Sequence, residues 1–357
     1  MEFWQRVHWF FTSKCNERCK FCFKPDFDEG SADNAKTLTN ILTKNDVKEV
    51  VFTGGEPLIS KNLDKSLEIL RDNNINTSIH TNAILLTSDR VRDLTSLADE
   101  IAIPLDSMNR KTQEYLRNED CLKQIKKVFG QLQDADVRIG IHTVATAINM
   151  KGVPKIYDFL CKGRFDYWKI YEFNPNLVKD RTKSVKRFYE VEKLSGRHAT
   201  ETDGGVRCLF ADFLLMEEQM SRYKDKRVKF VGFSDYDRAP YFFLDSKGNA
   251  YMATWFSQHR KPIGNLLNEG FIKVRDRAIK KYSEGPLYDE DAFIETEQSQ
   301  PLWVRGAWAG NYFDEEFDDL DPKYHNKFRH LSELYLDRIK KQGEAPKDAK
   351  LNYTIIC

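Results

Sequence analysis

The stretch VHWFFTSKCNERCKFC, residues 7–22, decides the fold of this chain. It begins as a β-rich run (VHWFFTS) and continues into a loop that carries Cys15, Cys19 and Cys22. Three thiolates at these spacings can wrap a loop around three irons of a cubane cluster, whereas an ordinary cluster takes four cysteines. The remaining iron then keeps a coordination site for a small molecule. The stretch therefore predicts a strand that leads directly into an iron–sulfur site.

A zinc site or three unrelated cysteines are the alternatives for this loop. Zinc prefers four ligands, usually in two pairs, and the sequence has no second pair of this kind. The chain contains seven cysteines, and the other four are scattered at Cys121, Cys161, Cys208 and Cys357. An odd number of cysteines in a chain of this length does not indicate a disulfide framework. The pattern favours one cofactor site and ordinary reduced cysteines elsewhere.

Five further β-rich runs follow the first one, at residues 48–53, 76–81, 99–105, 137–144 and 167–173. Between them, apolar residues recur at helical spacing, as in the stripe of Leu63, Leu67 and Leu70. Ser60 and Ser88 are predicted to cap helices. Strands that alternate with helices predict an α/β fold with a parallel sheet of six βα units, either open or closed into a barrel. In both cases ligands bind at the carboxyl ends of the strands.

The alternation ends near residue 175. Residues 177–225 are charged and are predicted to be helical, whereas residues 240–255 predict a β-hairpin, because turn-forming residues separate two aromatic-rich runs. From about residue 270 onward the chain is highly charged. We therefore predict three parts: a core over residues 1–175, a barrel-closing segment with the hairpin over 176–268, and a charged, mainly helical C-terminal extension of unknown role over 269–357.

The composition limits the classes of protein to which the chain can belong. Of its 357 residues 41% are hydrophobic, which argues against general disorder. The 56 Lys and Arg residues nearly balance the 55 Asp and Glu residues, so a net charge of +1 gives no overall basic field to attract nucleic acid. No stretch approaches the ~20 apolar residues of a membrane helix, and no signal peptide is recognisable. We expect a cytoplasmic protein without a membrane partner.

A second motif, FTGGEPL at residues 52–58, directly follows the second predicted strand. Gly54 and Gly55 allow the backbone to approach a ligand closely, and Glu56 can accept a hydrogen bond from an ammonium group. Two glycines followed by a proline also form a good turn, so the motif alone is a weak indication. Its position one βα unit after the cysteines makes it a strong one.

Together the two motifs resemble the signature of the radical S-adenosylmethionine (SAM) superfamily, in which an aromatic residue, here Phe21, precedes the third cysteine. The resemblance implies a partial (β/α)6 barrel that the hairpin closes. It also implies a [4Fe–4S] cluster on Cys15, Cys19 and Cys22, with SAM on the open iron. The expected activity is reductive cleavage of SAM to a 5′-deoxyadenosyl radical, with an electron donor such as flavodoxin or ferredoxin.

The resemblance also assigns SAM contacts, with Phe21 near the adenine and the glycine motif on the methionine amino group. The assigned residues are Phe21, Gly54, Gly55, Glu56, Pro57, Asn82, Ser107 and Arg117. Asn82 follows strand three, where the family often has Thr-Asn-Gly and this chain has Ala83. By resemblance Ser107 contacts the ribose or the methionine, and Arg117 contacts the carboxylate. The alternatives are a helix cap for Ser107 and a solvated surface charge for Arg117.

Over residues 7–175 the order of motifs resembles viperin-like and molybdenum-cofactor-type (MoaA-like) members of the superfamily, which implies a nucleotide substrate. The viperin triphosphate pocket uses a lysine and an asparagine on strand five and an Arg-Trp-Lys triplet on strand six. This chain has Gly140 and His142 at the first two positions, and Tyr167, Trp168 and Lys169 at the triplet. Only Lys169 keeps a positive charge, so the pocket loses most of its charge-assisted hydrogen bonds.

Strand alternation predicts three substrate-facing residues, namely His142, Lys169 and Tyr171. His142 is a candidate ligand contact or general acid/base, and Tyr171 is a candidate hydrogen-atom donor to a product radical. The alternative for His142 is a hydrogen-bonded interior histidine, and the alternative for Tyr171 is plain packing inside the barrel.

Three functions remain open from the sequence. The first is an enzyme acting on a nucleotide or another small phosphorylated molecule. The second is an enzyme that modifies a peptide or protein docked by the C-terminal extension. The third is a non-catalytic scaffold that keeps the cluster, which the intact cysteine and glycine motifs make the weakest of the three.

Overall fold

The computed structural model describes residues 2–22, 24, 27–117, 121–146, 149–172, 220, 223–231, 241–253 and 262–283. Most of the charged segment 177–225 that is predicted to be helical and the part of the extension after Ser283 lie outside these residues, as do Cys208 and Cys357.

The described residues form one ten-stranded sheet with the order β10-β9-β8-β1-β2-β3-β4-β5-β6-β7. The strands are β1 Arg6–Thr12, β2 Glu49–Gly54, β3 Asn76–His80, β4 Glu100–Pro104, β5 Arg138–Ala145, β6 Tyr167–Glu172, β7 Val228–Val231, β8 Tyr241–Asp245, β9 Asn249–Ala253 and β10 Gly264–Asn265. β1 to β7 run parallel, and β8 pairs with β1 in parallel and with β9 as the antiparallel hairpin. The six predicted strands and the hairpin are confirmed. The predicted domain boundaries stay predictions.

Helices lie between the first six strands and after β10, and they pack on one face of the sheet. They are α1 Ala32–Thr43, α2 Leu63–Asp72, α3 Ser88–Thr95, α4 Arg110–Leu116, α5 Cys121–Leu132, α6 Val153–Leu160, α7 Leu266–Glu269 and α8 Phe271–Ser283. The predicted stripe on α2 is buried, as amphipathic periodicity requires. Both predicted caps are wrong by one or two positions. Thr87 caps α3 by accepting from the Arg90 N–H, and Asn62 precedes α2 without a side-chain cap.

The two faces of the sheet have different chemistry because side chains alternate along each strand. Val7, Trp9 and Phe11 of β1 pack into the core under the helices. The opposite face encloses an inner space, here called the lumen. His80 of β3 and His142 of β5 meet there with ring centroids 4.5 Å apart, although β4 lies between their strands. The sheet is therefore strongly curved, as a partial barrel requires.

The hairpin closes the barrel edge beside β1 and also holds the segment that follows the cysteines. The Ser246 hydroxyl accepts a 2.8 Å hydrogen bond from the Gly30 N–H, and the Lys247 ammonium lies 2.6 Å from the Asp28 carboxylate. The hairpin thus fixes the exit of the cysteine loop. Within the described part of the chain, no helix is long and apolar enough to cross a bilayer.

Candidate active site

The cysteine loop begins at the carboxyl end of β1, and a buttressing carboxylate fixes its first turn. Glu29 accepts hydrogen bonds of 2.8 Å from the Thr12 hydroxyl and of 2.7 Å from both the N–H and the hydroxyl of Ser13. Beyond this turn Cys15 and Cys22 are exposed and Cys19 is half-buried, all as free thiols. The loop therefore presents its three sulfur atoms without any competing disulfide.

The two glycines of the second motif allow the β2 loop to lie directly against the cysteine loop. The Gly55 N–H donates to the Thr12 carbonyl, and the Glu56 N–H donates to the Lys14 carbonyl, each at 2.8 Å. A Cβ atom at Gly55 would lie 1.8 Å from the Lys14 carbonyl oxygen, and Gly54 has a φ of +119°. No residue with a side chain fits either position without a backbone shift. This is the close approach that the sequence predicted.

Glu56 is a buried acceptor that joins three loops. Its carboxylate accepts from the Thr81 hydroxyl at 2.7 Å, from the Asn82 N–H at 2.6 Å and from the Leu58 N–H at 3.1 Å. Burial raises the pKa of Glu56 to about 7, and these hydrogen bonds only partly oppose the shift. The Asn82 amide also donates to Asn16 in the cysteine loop, at 2.7 Å. Glu56 and Asn82, both predicted contacts, therefore lie together.

Arg117 is buried on the other side of the cysteine loop. It forms an ion pair with Asp106 at the end of β4, and its Nη1 lies 3.5 Å from the Glu17 carboxylate and 3.7 Å from the Cys19 sulfur. The guanidinium lies 5.1 Å from the Phe21 ring centroid, a cation–π distance. The alternative of a solvated surface charge for Arg117 is therefore wrong.

Ser107 lies next to this group but is not a helix cap. Its hydroxyl accepts from the Asn109 N–H at 3.0 Å, whereas the side chain of Asn109 itself caps α4. The Ser107 N–H donates to the buried Gln113 amide at 2.7 Å. Ser107 is thus held in place at the end of β4, within the loops that surround the cysteines.

The residues present fit an iron–sulfur cluster with a small-molecule ligand. Among the described residues, no three His, Cys, Asp or Glu side chains converge on a single metal ion. Three separate thiolates instead suit a cluster, in which each cysteine binds its own iron. One Glu17 oxygen is buried without a hydrogen-bond partner, and Glu56 is a buried acceptor. Both can take a donor from a bound ligand.

The lumen brings the three predicted substrate-facing residues together. The Nε2 atom of His142 lies 3.5 Å from the Tyr167 hydroxyl, and its ring lies 5.4 Å from the Tyr171 ring. Lys169 is the register partner of His142 on the neighbouring strand. Its ammonium lies 5.1 Å from the Tyr167 ring centroid. The predicted common face of these strands is confirmed, while the roles of the residues stay predictions.

A second lysine, which was not predicted, stands beside Lys169. Lys229 of β7 is the register partner of Lys169, and its ammonium lies 6.0 Å from the centroid of the same Tyr167 ring. Both lysines therefore flank one aromatic ring. No motif indicates Lys229 in the sequence, because its four-residue strand lies in a charged segment. An isolated Val-Lys-Phe-Val run was the only available signal.

Gly140 and Tyr167 interlock at the position where the resemblance to viperins would place a lysine on strand five. A Cβ atom at Gly140 would lie 2.4 Å from the Tyr167 hydroxyl oxygen. The hydroxyl donates a 2.7 Å hydrogen bond to Glu100, which also accepts from Ser78 and pairs with Arg138. Tyr167 therefore fills the space that a longer side chain at position 140 would need.

The comparisons with known proteins agree with this geometry. Residues 9–160 match the model of the Radical SAM superfamily. A probable GTP 3′,8-cyclase of Methanocaldococcus jannaschii is 25% identical over 205 residues, 54% of this chain and 65% of the relative. An S-adenosylmethionine-dependent nucleotide dehydratase of Lacinutrix mariniflava is 25% identical over 184 residues, 47% of this chain and 38% of the relative. The alignments span less than two thirds of either relative.

Solved structures show the same fold. SuiB of Streptococcus suis, in a crystal structure with bound S-adenosylmethionine, has a TM-score of 0.58 over 76% of this chain and 65% of SuiB, at 18% identity. A likeness at this identity concerns the fold alone. It confirms the predicted fold class of a parallel α/β barrel of this type.

Proposed function

We propose that the chain, whose residues 9–160 match the Radical SAM superfamily model, is a radical SAM enzyme acting on a nucleotide or another small phosphorylated substrate. The observation that carries the substrate class is the pair of Lys169 and Lys229, which flank the Tyr167 ring on adjacent strands. Two ammonium groups beside the same ring, on neighbouring strands, are donors of the kind that bind a phosphoryl group. The two curated relatives described above are named for GTP and nucleotide chemistry, which supports the same class.

The chain's own residues hold the cofactors in this proposal. Cys15, Cys19 and Cys22 bind three irons of a [4Fe–4S] cluster, and Glu56 accepts from the SAM ammonium group. The remaining proposed SAM contacts are Phe21, Gly54, Gly55, Pro57, Asn82, Ser107 and Arg117. When bound, the cluster and SAM supply a 5′-deoxyadenosyl radical that removes a hydrogen atom from the substrate. The barrel orients the substrate and excludes water.

The lumen residues bind the substrate and return a hydrogen atom to the product radical. Lys169 and Lys229 bind the phosphoryl group. His142 contacts the substrate as a neutral hydrogen-bonding group, since burial and its positively charged neighbours keep its pKa well below the ordinary value. Tyr171, whose ring packs against His142, is positioned to return a hydrogen atom to a product radical. An external electron donor such as flavodoxin or ferredoxin and a cytoplasmic location complete the proposal.

The alternative is an enzyme that modifies a peptide or protein. It depends on docking by the C-terminal extension, most of which lies outside the described residues. Its other support is a fold likeness, since SuiB has also been solved with its precursor peptide SuiA. At 18% identity that likeness shows the fold alone and gives no information on the substrate. The lysine pair therefore remains the reason to favour a nucleotide substrate over a peptide.

The test is anaerobic formation of 5′-deoxyadenosine by the reconstituted, dithionite-reduced protein with SAM. Each of the four nucleoside triphosphates is added separately. We expect one of them to raise the yield at least about tenfold, and Lys229→Met to abolish that stimulation. Lys226→Met, an exposed lysine in the same segment, is the matched control and keeps it. Slow cleavage of SAM that no nucleotide stimulates would contradict the proposed nucleotide substrate. The search would then turn to peptide substrates.

A further inference from the structure

Three histidines lie in one layer of the lumen. His8, His80 and His142 come from β1, β3 and β5, and inward-facing residues of alternate strands form such layers in barrels. His80 and His142 meet edge to face with ring centroids 4.5 Å apart. His8 packs against Tyr241 and Phe243 of the hairpin, at 4.9 and 5.4 Å. Aromatic rings thus line the lumen both at His80 and His142 and beside His8.

Two of these histidines carry buried polar atoms that nothing in the described chain satisfies. The Nε2 atoms of His8 and His80 are buried, and neither has a hydrogen-bond partner among the described residues. A buried unsatisfied nitrogen costs stability, and native proteins rarely keep one without a reason such as an absent ligand or water. Two such atoms in one layer of the inner face are groups with which a ligand in the lumen can pair.

The layer is uncharged and has a defined hydrogen-bonding pattern. Burial lowers the pKa of His80 to about 3, with a further contribution from Lys169, and lowers the pKa values of His8 and His142 well below the ordinary value. Each neutral ring offers one donor and one acceptor. Because the Tyr167 hydroxyl donates to Glu100, its oxygen is left to accept from the Nε2–H of His142. That tautomer leaves Nδ1 of His142 as an acceptor.

We propose that His8, His80 and His142 form a subsite for an uncharged, planar group with hydrogen-bond donors and acceptors, such as the edge of a nucleobase. The lumen then has two halves, a neutral one on β1, β3 and β5 and a cationic one at Lys169 and Lys229 on β6 and β7. A nucleotide spans them with its base on the histidines and its phosphate on the lysines. This inference rests on the proposed function and adds which part of the substrate lies where.

The test uses His80→Phe, which keeps a ring of similar size and removes the unpartnered nitrogen. Reconstituted protein with SAM, kept anaerobic and without reductant, is dialysed to equilibrium against each of the four ribonucleosides and their 5′-monophosphates. We expect His80→Phe to weaken binding of the preferred nucleoside and of its monophosphate by the same factor of about ten. Its thermal stability should stay equal or rise, because an unsatisfied buried atom is lost.

Lys229→Met is the matched second variant. It should weaken binding of the monophosphate and leave binding of the nucleoside unchanged. Suppose that His80→Phe binds the nucleoside and its monophosphate with wild-type affinity, with or without a loss of thermal stability. Either result would show that His80 has a structural role only, and it would overturn the subsite. If binding still depended on Lys229 in that case, the proposed function would stand without the subsite. If neither nucleosides nor monophosphates bound to the wild-type protein, the subsite would be overturned, and the stimulation of SAM cleavage by triphosphates would decide the proposed function separately.

Discussion

Replacing Gly55 with alanine should separate the two loops that form the cofactor site. The added Cβ would lie 1.8 Å from the Lys14 carbonyl oxygen, about 1.6 Å short of ordinary contact. Backbone atoms cannot yield as a flexible side chain can, so one loop must move. The movement breaks the 2.8 Å hydrogen bonds from Gly55 to Thr12 and from Glu56 to Lys14.

The magnitude follows from those two bonds. Each backbone hydrogen bond contributes about 1 kcal/mol, so Gly55→Ala should lower the free energy of unfolding by about 2 kcal/mol. The matched control is Gly130→Ala in the last turn of α5, where a Cβ atom would meet nothing within 4 Å. Removing a helical glycine should raise the stability by about 0.5–1 kcal/mol. The same chemical change is thus expected to have opposite signs at the two positions.

Two measurements check this prediction. Urea unfolding of the cluster-free proteins gives the free energies, and iron and sulfide content after anaerobic reconstitution reports the state of the cysteine loop. We expect Gly55→Ala to retain less than about half of the wild-type iron, since the loop it displaces carries the three proposed cysteine ligands. A Gly55→Ala protein with wild-type stability and full iron content would show that the close approach of the two loops is not needed.

Two further predictions concern the structure around the site. Thr87→Ala should lower the free energy of unfolding by about 1 kcal/mol in urea titrations, because Thr87 caps α3. The neighbouring variant Ser88→Ala should change it by much less, and equal losses in the two variants would contradict the cap assignment. Burial opposes ionisation of Glu100, but hydrogen bonds from Ser78, Arg138 and Tyr167 outweigh it and lower its pKa to about 2. That carboxylate therefore contributes stability above pH 4.5 that is lost as the pH falls towards 2. Between pH 6 and pH 3 the wild-type protein should lose about 2 kcal/mol more than Glu100→Gln, and parallel pH profiles of unfolding would refute this.

Much of the core could be predicted from local patterns. The six strands and the helical stripes follow from periodicity, because each strand is β-rich along its own length and each helix has one apolar face. Strand β7 could not be predicted. Its run of Val228 to Val231 lies among charged residues, and its extended conformation depends on pairing with β6. The caps failed because several serine, threonine and asparagine residues adjoin each helix start.

The candidate site also has a part that could be predicted from the sequence and a part that could not. Cys15, Cys19 and Cys22 form one short motif and the glycines another, so the chemistry of each motif is visible without a structure. Other features join residues that are far apart in the chain. The pairing of Lys169 with Lys229 and the interlock of Gly140 with Tyr167 depend on strand register. The left-handed backbone of Ala83, with a φ of +70°, is equally invisible, since alanine rarely adopts it.

The central claim is that three cysteines of one loop hold the cluster with which the chain cleaves SAM. The most direct measurement is the yield of 5′-deoxyadenosine from the anaerobically reconstituted and reduced protein, compared between Cys19→Ala and Cys161→Ser. Cys161 is exposed at the end of α6 and serves as the matched control. We predict wild-type yield from Cys161→Ser, and neither 5′-deoxyadenosine nor a full complement of iron from Cys19→Ala. Wild-type yield from Cys19→Ala would contradict the account.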